Sequence, residues 1–221
     1  FYVNDDSTNN DAFCSVAGDD VNNGVTTNSP KRSLQAILDT YDLEGGDTIY
    51  VDTGYYPTQT VAVSWFDSGT NGSPVRILGS THGVLFNRAS TTAHVLELRG
   101  GTDLEIENLQ LTGGNYGLHG LGSTNITLRG VLLATNQYGI YLTGPRHVFS
   151  RCLALNNAQR GFSGTSASNR WDNGILWGNP TNIHVTINTA LWISNSILGN
   201  GTLLFGNQPV RGEYNLVWNT G

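Results

Sequence analysis

The stretch HVLELRGGTDLEIENLQLTGGN (residues 94–115), YGLHGLGSTNITLRGVLLATNQ (116–137), YGIYLTGPRHVFSRCLALNNAQ (138–159), RGFSGTSASNRWDNGILWGNPT (160–181) and NIHVTINTALWISNSILGNGTL (182–203) falls into register in five lines of equal length. Gly117, Gly139 and Gly161 share one column. Leu109, Val131, Leu153, Ile175 and Ile197 share another, and Leu111, Leu133 and Leu155 a third. A fixed period in the low twenties marks a solenoid. Within each line the apolar residues alternate in short runs, such as Leu104-Glu105-Ile106 and Ile126-Thr127-Leu128, broken by Gly, Asn or Ser. That is strand periodicity without helix periodicity. Such a unit predicts a coil of parallel strands stacked about 4.8 Å apart. Residues in one column then touch across rungs.

Working outward, residues 1–46 read as an N-terminal loop and a capping helix, 47–93 as first irregular rungs, and 204–221 as a partial rung. All belong to one domain. The run KRSLQAILDTYDL (31–43) places Leu34, Ile37, Leu38 and Tyr41 on one helical face, with Pro30 before it and Gly45-Gly46 after it. A solenoid leaves an open edge at each end, and an amphipathic helix is a simple cover. The tail GEYNLVWNTG brings no second such helix. It suggests a chain cut from a longer protein, or a C-terminal edge that pairs with other domains of the parent chain or with a second copy.

Inside the repeats the turn after the first strand reads as two residues in the first rungs (Glu107-Asn108, Arg129-Gly130) and three in the next (150–152, 172–174, 194–196). This turns Phe149, Trp171 and Ile193 inward as a core column. The rival reading leaves them outward as an aromatic face.

At 221 residues with 13% charged, a net charge of −6 and one lysine against ten arginines, the chain carries no basic nucleic-acid footprint. No apolar run is long enough for a membrane span. It begins at Phe1, which suggests a mature or excised segment. Cys14 and Cys152 lie on either side of the first repeats. They pair only if the N-terminal loop reaches the third rung.

The run AGDDVNNGVTTNSPKRSLQAILDTYDLEGGDTIYVDTGYY (17–56) resembles the N-terminal segment of secreted right-handed parallel β-helix proteins of the pectate-lyase-like superfamily. A GxDxxxG-like loop, a P…SLQ helix and a GDTIYV…GxY rung recur there together. The run YGLHGLGSTNITLRGVLLATNQYGIYL (116–142) is similar to their repeats. The resemblance implies an all-β, right-handed parallel β-helix on the surface of a cell or outside it. It implies function weakly, because the superfamily holds lyases, glycosidases, epimerases and adhesins.

In a solenoid, residues that act together must share or adjoin a column. No column carries carboxylates on adjacent rungs, which argues against hydrolysis by a carboxylate pair. A lyase needs a base and a cation to neutralise a uronate. In the superfamily that base is typically Lys or Arg, which points to Arg129 and Arg151, one period apart, with Glu107 one rung earlier. The alternative is an exposed ion ladder. Two further columns hold His94, Tyr116, Tyr138 and Arg160, and Glu97, His119, Tyr141 and Ser163. Tyr and His rings with polar neighbours suit sugars, and His119 is the acid/base candidate. Stacked rings also stabilise parallel strands without any ligand. Asp5, Asp6, Asp19 and Asp20 offer oxygens to Ca²⁺, or serve as turn and cap residues. The expectation is a module that binds an acidic polysaccharide and cleaves it by β-elimination if catalytic, or else a non-catalytic structural or adhesin domain.

Overall fold

The computed structural model describes residues 1–57, 59–166, 168–186, 190–205 and 210–218. The chain is an all-β parallel solenoid with almost no helix. Every strand pairs with the one a rung away, so three sheets run the length of the coil. The first holds Tyr2–Val3, Thr48–Val51, Val75–Gly79, Thr102–Glu107, Thr124–Arg129, Val148–Ser150, Asn169–Asp172, Leu191–Ser194 and Val210–Glu213. The second holds Gly54–Pro57, Val84–Asn87, Gln110–Thr112, Leu132–Ala134, Leu153–Leu155, Ile175–Trp177, Ile197–Gly199 and Leu216–Trp218. The third holds Val61–Ser64, Leu96–Arg99, Tyr116–Leu121, Tyr138–Leu142, Arg160–Gly164, Thr181–Val185 and Thr202–Phe205. Among the described residues no helix is long and apolar enough to cross a membrane.

The helix is shorter than the sequence pattern predicts. It spans Leu34–Leu38, with the Ser33 hydroxyl accepting from Ala36 N as N-cap. Lys31 instead bridges Val3 in extended form, and its buried ammonium donates to Asp20 O at 2.8 Å. Leu34 and Ile37 join the core. The Gln35 side chain accepts from Ala62 N, on the edge strand of the third sheet, at 2.7 Å.

Inward columns form the core. In the first sheet Ile77, Ile106, Leu128, Phe149, Trp171 and Ile193 lie one above another, all buried. The expected inward turn of Phe149, Trp171 and Ile193 is therefore observed. Its expected cause is not. The register pairs Leu128 with Phe149 and Leu132 with Leu153, so the corner between the first and second sheets keeps one length. The change lies in the preceding turn. Gly120 is opposite Leu142, a full period on, whereas Thr127 is opposite Val148, one short of a period. One residue is lost between the third and first sheets. It is regained between the second and third, since Tyr138 again pairs with Arg160.

The slip corrects two columns: Leu155 does not follow Leu111 and Leu133 but stands with Thr112 and Ala134, and Ala154 takes the buried place. Leu153, Ile175 and Ile197 do not follow Leu109 and Val131 into the core. They follow Gln110 and Leu132, facing outward. Cys152, Gly174 and Ser196 take the inward corner. Small residues there make room for large ones, since a Cβ on Gly174 would meet the Trp171 indole at 2.3 Å. Cys152 is buried and Cys14 half-buried, and both are free thiols, so the two do not pair.

The corner between the second and third sheets is held by amides. Asn136, Asn157 and Asn179 point inward and are buried. The Asn157 Nδ2 donates to Leu133 O at 3.0 Å and to Asn179 Oδ1 at 2.9 Å, while its Oδ1 accepts from Asn136 N at 3.1 Å. Asn136 and Asn179 repeat the donation to Leu111 O and Ala154 O, each at 2.9 Å. The glycine column lies beneath this ladder. A Cβ on Gly117, Gly139 or Gly161 would stand 2.8, 3.0 or 2.8 Å from the Nδ2 of Asn136, Asn157 or Asn179. In the next position the column holds Asn182, whose amide continues the ladder to Gly199 O. Asn156 and Asn200, which recur near this turn in the sequence, stand outside the ladder. Each sits at a left-handed corner, with φ of 51°.

Two outcomes follow for stability. Asn157→Ala strips partners from a buried amide, a carbonyl and a side chain, at about 1–3 kcal/mol each. Guanidinium unfolding should show a loss of about 3 kcal/mol or more, and a loss below about 1 kcal/mol would contradict the ladder. His147 is fully buried and accepts from Ile126 N through Nδ1. Burial pushes its imidazole down to about 4, opposed by the Gly144 backbone. Its contribution is full above about pH 6.5, the unfolded value. It is lost as pH falls toward 4, because the unfolded chain takes up the proton first. The stability of the wild type should drop by about 3 kcal/mol across that window from this group, and His147→Gln should flatten the slope. Identical slopes would contradict the assignment.

Candidate functional site

The third sheet presents two outward columns three residues apart, because two buried residues, Gly117-Leu118 and Gly139-Ile140, stand between the outward pair in each strand. Tyr116 stands opposite Tyr138, and Tyr138 opposite Arg160. Glu97, His119, Tyr141, Ser163 and His184 form the second column. The register brings together Glu97, Tyr116, His119, Tyr138, Tyr141 and Arg160, all of them singled out in the sequence. All are partly exposed. Tyr116 and Tyr138 stack at 4.7 Å with planes 18° apart, and His119 and Tyr141 at 5.6 Å with planes 16° apart. Tyr116 also contacts His119 at 4.9 Å, so the columns form one aromatic surface. The Arg160 guanidinium lies 5.9 Å above the Tyr138 ring, and its Nη1 is 3.3 Å from His184 Nδ1.

At the other end of the surface His94 stacks on His119 at 4.4 Å. His119 Nδ1 is 3.9 Å from Glu97 Oε1. Glu97 Oε2 accepts both Arg99 Nε at 2.9 Å and Nη2 at 2.8 Å. Burial lowers the His119 pKa, and His94 adds to this while Glu97 opposes it. Burial also lowers His94, against Glu97 and with Arg99. Both shifts favour the neutral imidazole. Burial raises the phenol of Tyr116, with smaller effects from its tyrosine neighbours in the same direction and from Arg160 against it.

Sequence reasoning passes over His184 and Arg99. One full period from Ser163 gives Val185, whereas the register shortens by one and pairs His184. In the sequence His94 is only one member of a column.

Arg129 and Arg151 do not join this surface. Arg129 lies on the first sheet, opposite Ser150 rather than Arg151. Its Nε donates to Glu105 Oε1 at 2.9 Å and lies 3.5 Å from Glu107 Oε1. Glu105 is also held by Arg76 at 2.9 Å. Arg151 occupies a corner at φ 54°, in a row otherwise made of Asn108, Gly130, Asn173 and Asn195. That row is Asn- and Gly-rich because its backbone is left-handed. The stacked pair of cations is a product of carrying a fixed period across the slip.

The acidic loop borders a groove of about 380 Å³ lined by Asp5, Asp6, Asp20, Arg32 and Tyr55 among others. Its carboxylates hold backbone and side-chain donors. Asp5 accepts from Ser7 N and Tyr55 N at 2.8 Å each. Asp20 accepts from Arg32 N, Ser33 N and Ser33 Oγ, tying the loop to the helix start. Asp19 accepts from Val21 N, and Asp6 pairs with Arg32 at 3.0 Å. Among the described residues, the one group of three metal-capable side chains that converge is His94, Glu97 and His119.

No protein-family model matches the chain, and no curated protein does. Solved structures do. Pectate lyase Pel9A superposes with a TM-score of 0.68 at 15% identity, over 96% of this chain and 57% of that one. A rhamnogalacturonan lyase gives 0.54 at 16% identity, over 90% and 68%. The chain thus spans little more than half the length of Pel9A. At such identity the likeness establishes the pectate-lyase-like β-helix fold, and no residue role passes with it.

Proposed function

We propose that the chain is a secreted or cell-surface β-helix module that binds an acidic polysaccharide along the outer face of its third sheet. The observation that carries this reading is the continuous surface of Tyr116, Tyr138, Tyr141 and His119, ending in Arg160. Ring faces match the apolar faces of sugars, and their polar edges match hydroxyls. A guanidinium pairs with a carboxylate through two parallel donors. Rungs about 4.8 Å apart offer repeated contacts to a repeating ligand. The solved structures of like fold carry the names of lyases of pectate and rhamnogalacturonan, which adds support from the fold.

Binding is favoured over cleavage by two observations. Arg129 and Arg151 lie away from this surface, and the guanidinium of Arg129 already faces two carboxylates. The turns leading from the third to the first sheet are short: Gly122 and Ser123 after one strand, residues 143–147 after the next. They raise no wall around the tyrosines. A non-catalytic module is the form that fits these features.

Affinity electrophoresis on polygalacturonate, alginate and rhamnogalacturonan, with dextran as a neutral control, tests the reading. The wild type should be retarded by at least one acidic polymer and not by dextran. Tyr138→Ala should weaken binding about tenfold or more, about 1.4 kcal/mol. Arg160→Ala should remove the preference for acidic over neutral polymer. No retardation by any polymer would overturn the proposal and leave a structural or adhesin role.

A further inference from the structure

We propose that His94, Glu97 and His119 form a three-ligand site for a divalent transition-metal ion, with zinc as the reference case. Two imidazoles and one carboxylate are the donor set of an open zinc site, which leaves a further position for water or a ligand oxygen. Imidazole ligands favour zinc, copper, nickel or iron over calcium. This distinguishes the site from the Ca²⁺ expectation attached to the acidic loop.

The geometry is close to closed. One ligand atom from each of the three side chains lies within 4.8 Å of the others. Tetrahedral ligation at about 2.0–2.2 Å places two donors of one ion about 3.3–3.6 Å apart, so the side chains draw together by about an ångström and the stacked rings turn to aim their nitrogens at one point. The strand register sets the spacing of the ligands. Glu97 and His119 face each other across adjacent strands, and His94 is three residues before Glu97 on the same segment. The carboxylate is already oriented: Arg99 holds Oε2, which leaves Oε1 turned to His119. Such support from a neighbour is what metal-binding carboxylates have.

An independent observation points to a missing ligand. The Nδ1 atoms of both His94 and His119 are shielded from solvent and have no hydrogen-bond partner. Two stacked imidazoles with two orphaned nitrogens next to a carboxylate oxygen form an unsatisfied group. A cation satisfies all three. The Tyr116 ring, 5.2 Å from His94 and 4.9 Å from His119, walls one side. The inference stands whether or not a glycan binds the adjoining surface.

Tag-free protein, stripped with chelator, is titrated with ZnCl₂ by calorimetry, and Co²⁺ serves as the absorbing probe. The wild type should take up one ion with a visible cobalt spectrum of low coordination number. His94→Gln, Glu97→Gln and His119→Gln should each weaken binding about tenfold or more. His82→Gln, whose ring touches Asn10 O in a turn, should not. Melting points in chelator check that each variant is folded. If one is not, the wild-type cobalt spectrum decides, since ligation by Cys14 would add an intense sulfur charge-transfer band and overturn the site. No saturable uptake, or equal affinity in the His94→Gln/His119→Gln double variant, would also overturn it. Retardation by acidic polymer in excess chelator reports on the glycan reading alone, so the two failures are distinguishable.

Discussion

The structure depends on one constraint: the corner between the second and third sheets must satisfy buried backbone groups on every rung. Asparagine does so by donating to the carbonyl of the rung before and accepting from the amide of its neighbour. Asn136 and Asn157 each have partners in the rung before and the rung after, and Asn179 donates to the rung before and to Asn182. The amide must also have space, and that space is the missing Cβ of Gly117, Gly139 and Gly161. A left-handed backbone does not explain these glycines, because none of them has a positive φ. The most visible column in the sequence is thus the imprint of a hydrogen-bond ladder on the strand beside it. Where Asn182 replaces the glycine, its own amide takes the place of the ladder rung.

Most of the fold is legible in the sequence for that reason. Gly117, Gly139 and Gly161 keep one spacing because the third sheet keeps it. The alternation of Leu104 with Ile106, and of Ile126 with Leu128, reveals strands and their inward faces. What a fixed period does not show is a residue lost in one turn and regained in another. Past the second rung, columns in the first and second sheets are therefore displaced by one. A fixed period puts Leu153, Ile175 and Ile197 in the core, yet they face outward. It stacks Arg151 on Arg129, yet Arg151 sits at a corner. Phe149 and Trp171 are still placed inward, since an exposed aromatic column has a large cost in any register. The helix is over-read because Lys31 and Tyr41 fit a helical pattern yet serve the N-terminal loop, Lys31 through Asp20 and Tyr41 through Asn23 O.

The same contrast decides which parts of the site are legible. Tyr116, Tyr138 and Arg160, and Glu97, His119 and Tyr141, lie on the one sheet whose register survives the slip, and they come together as the columns predict. His184 escapes notice where that sheet too shortens by one. The convergence of His94 with Glu97 and His119 is not visible in the sequence, because it depends on how two rings stack rather than on spacing. The ladder and the surface belong to one mechanism: the amide corner fixes the height of each third-sheet strand, and the strands carry the rings at that height.

Amide hydrogen exchange with and without saturating acidic polysaccharide tests the joined claim most directly. Added protection is predicted in Leu96–Arg99, Tyr116–Leu121, Tyr138–Leu142 and Arg160–Gly164. Strands of the first sheet, such as Thr124–Arg129, should remain unchanged. Protection confined to the first sheet, or none on any strand, would contradict it.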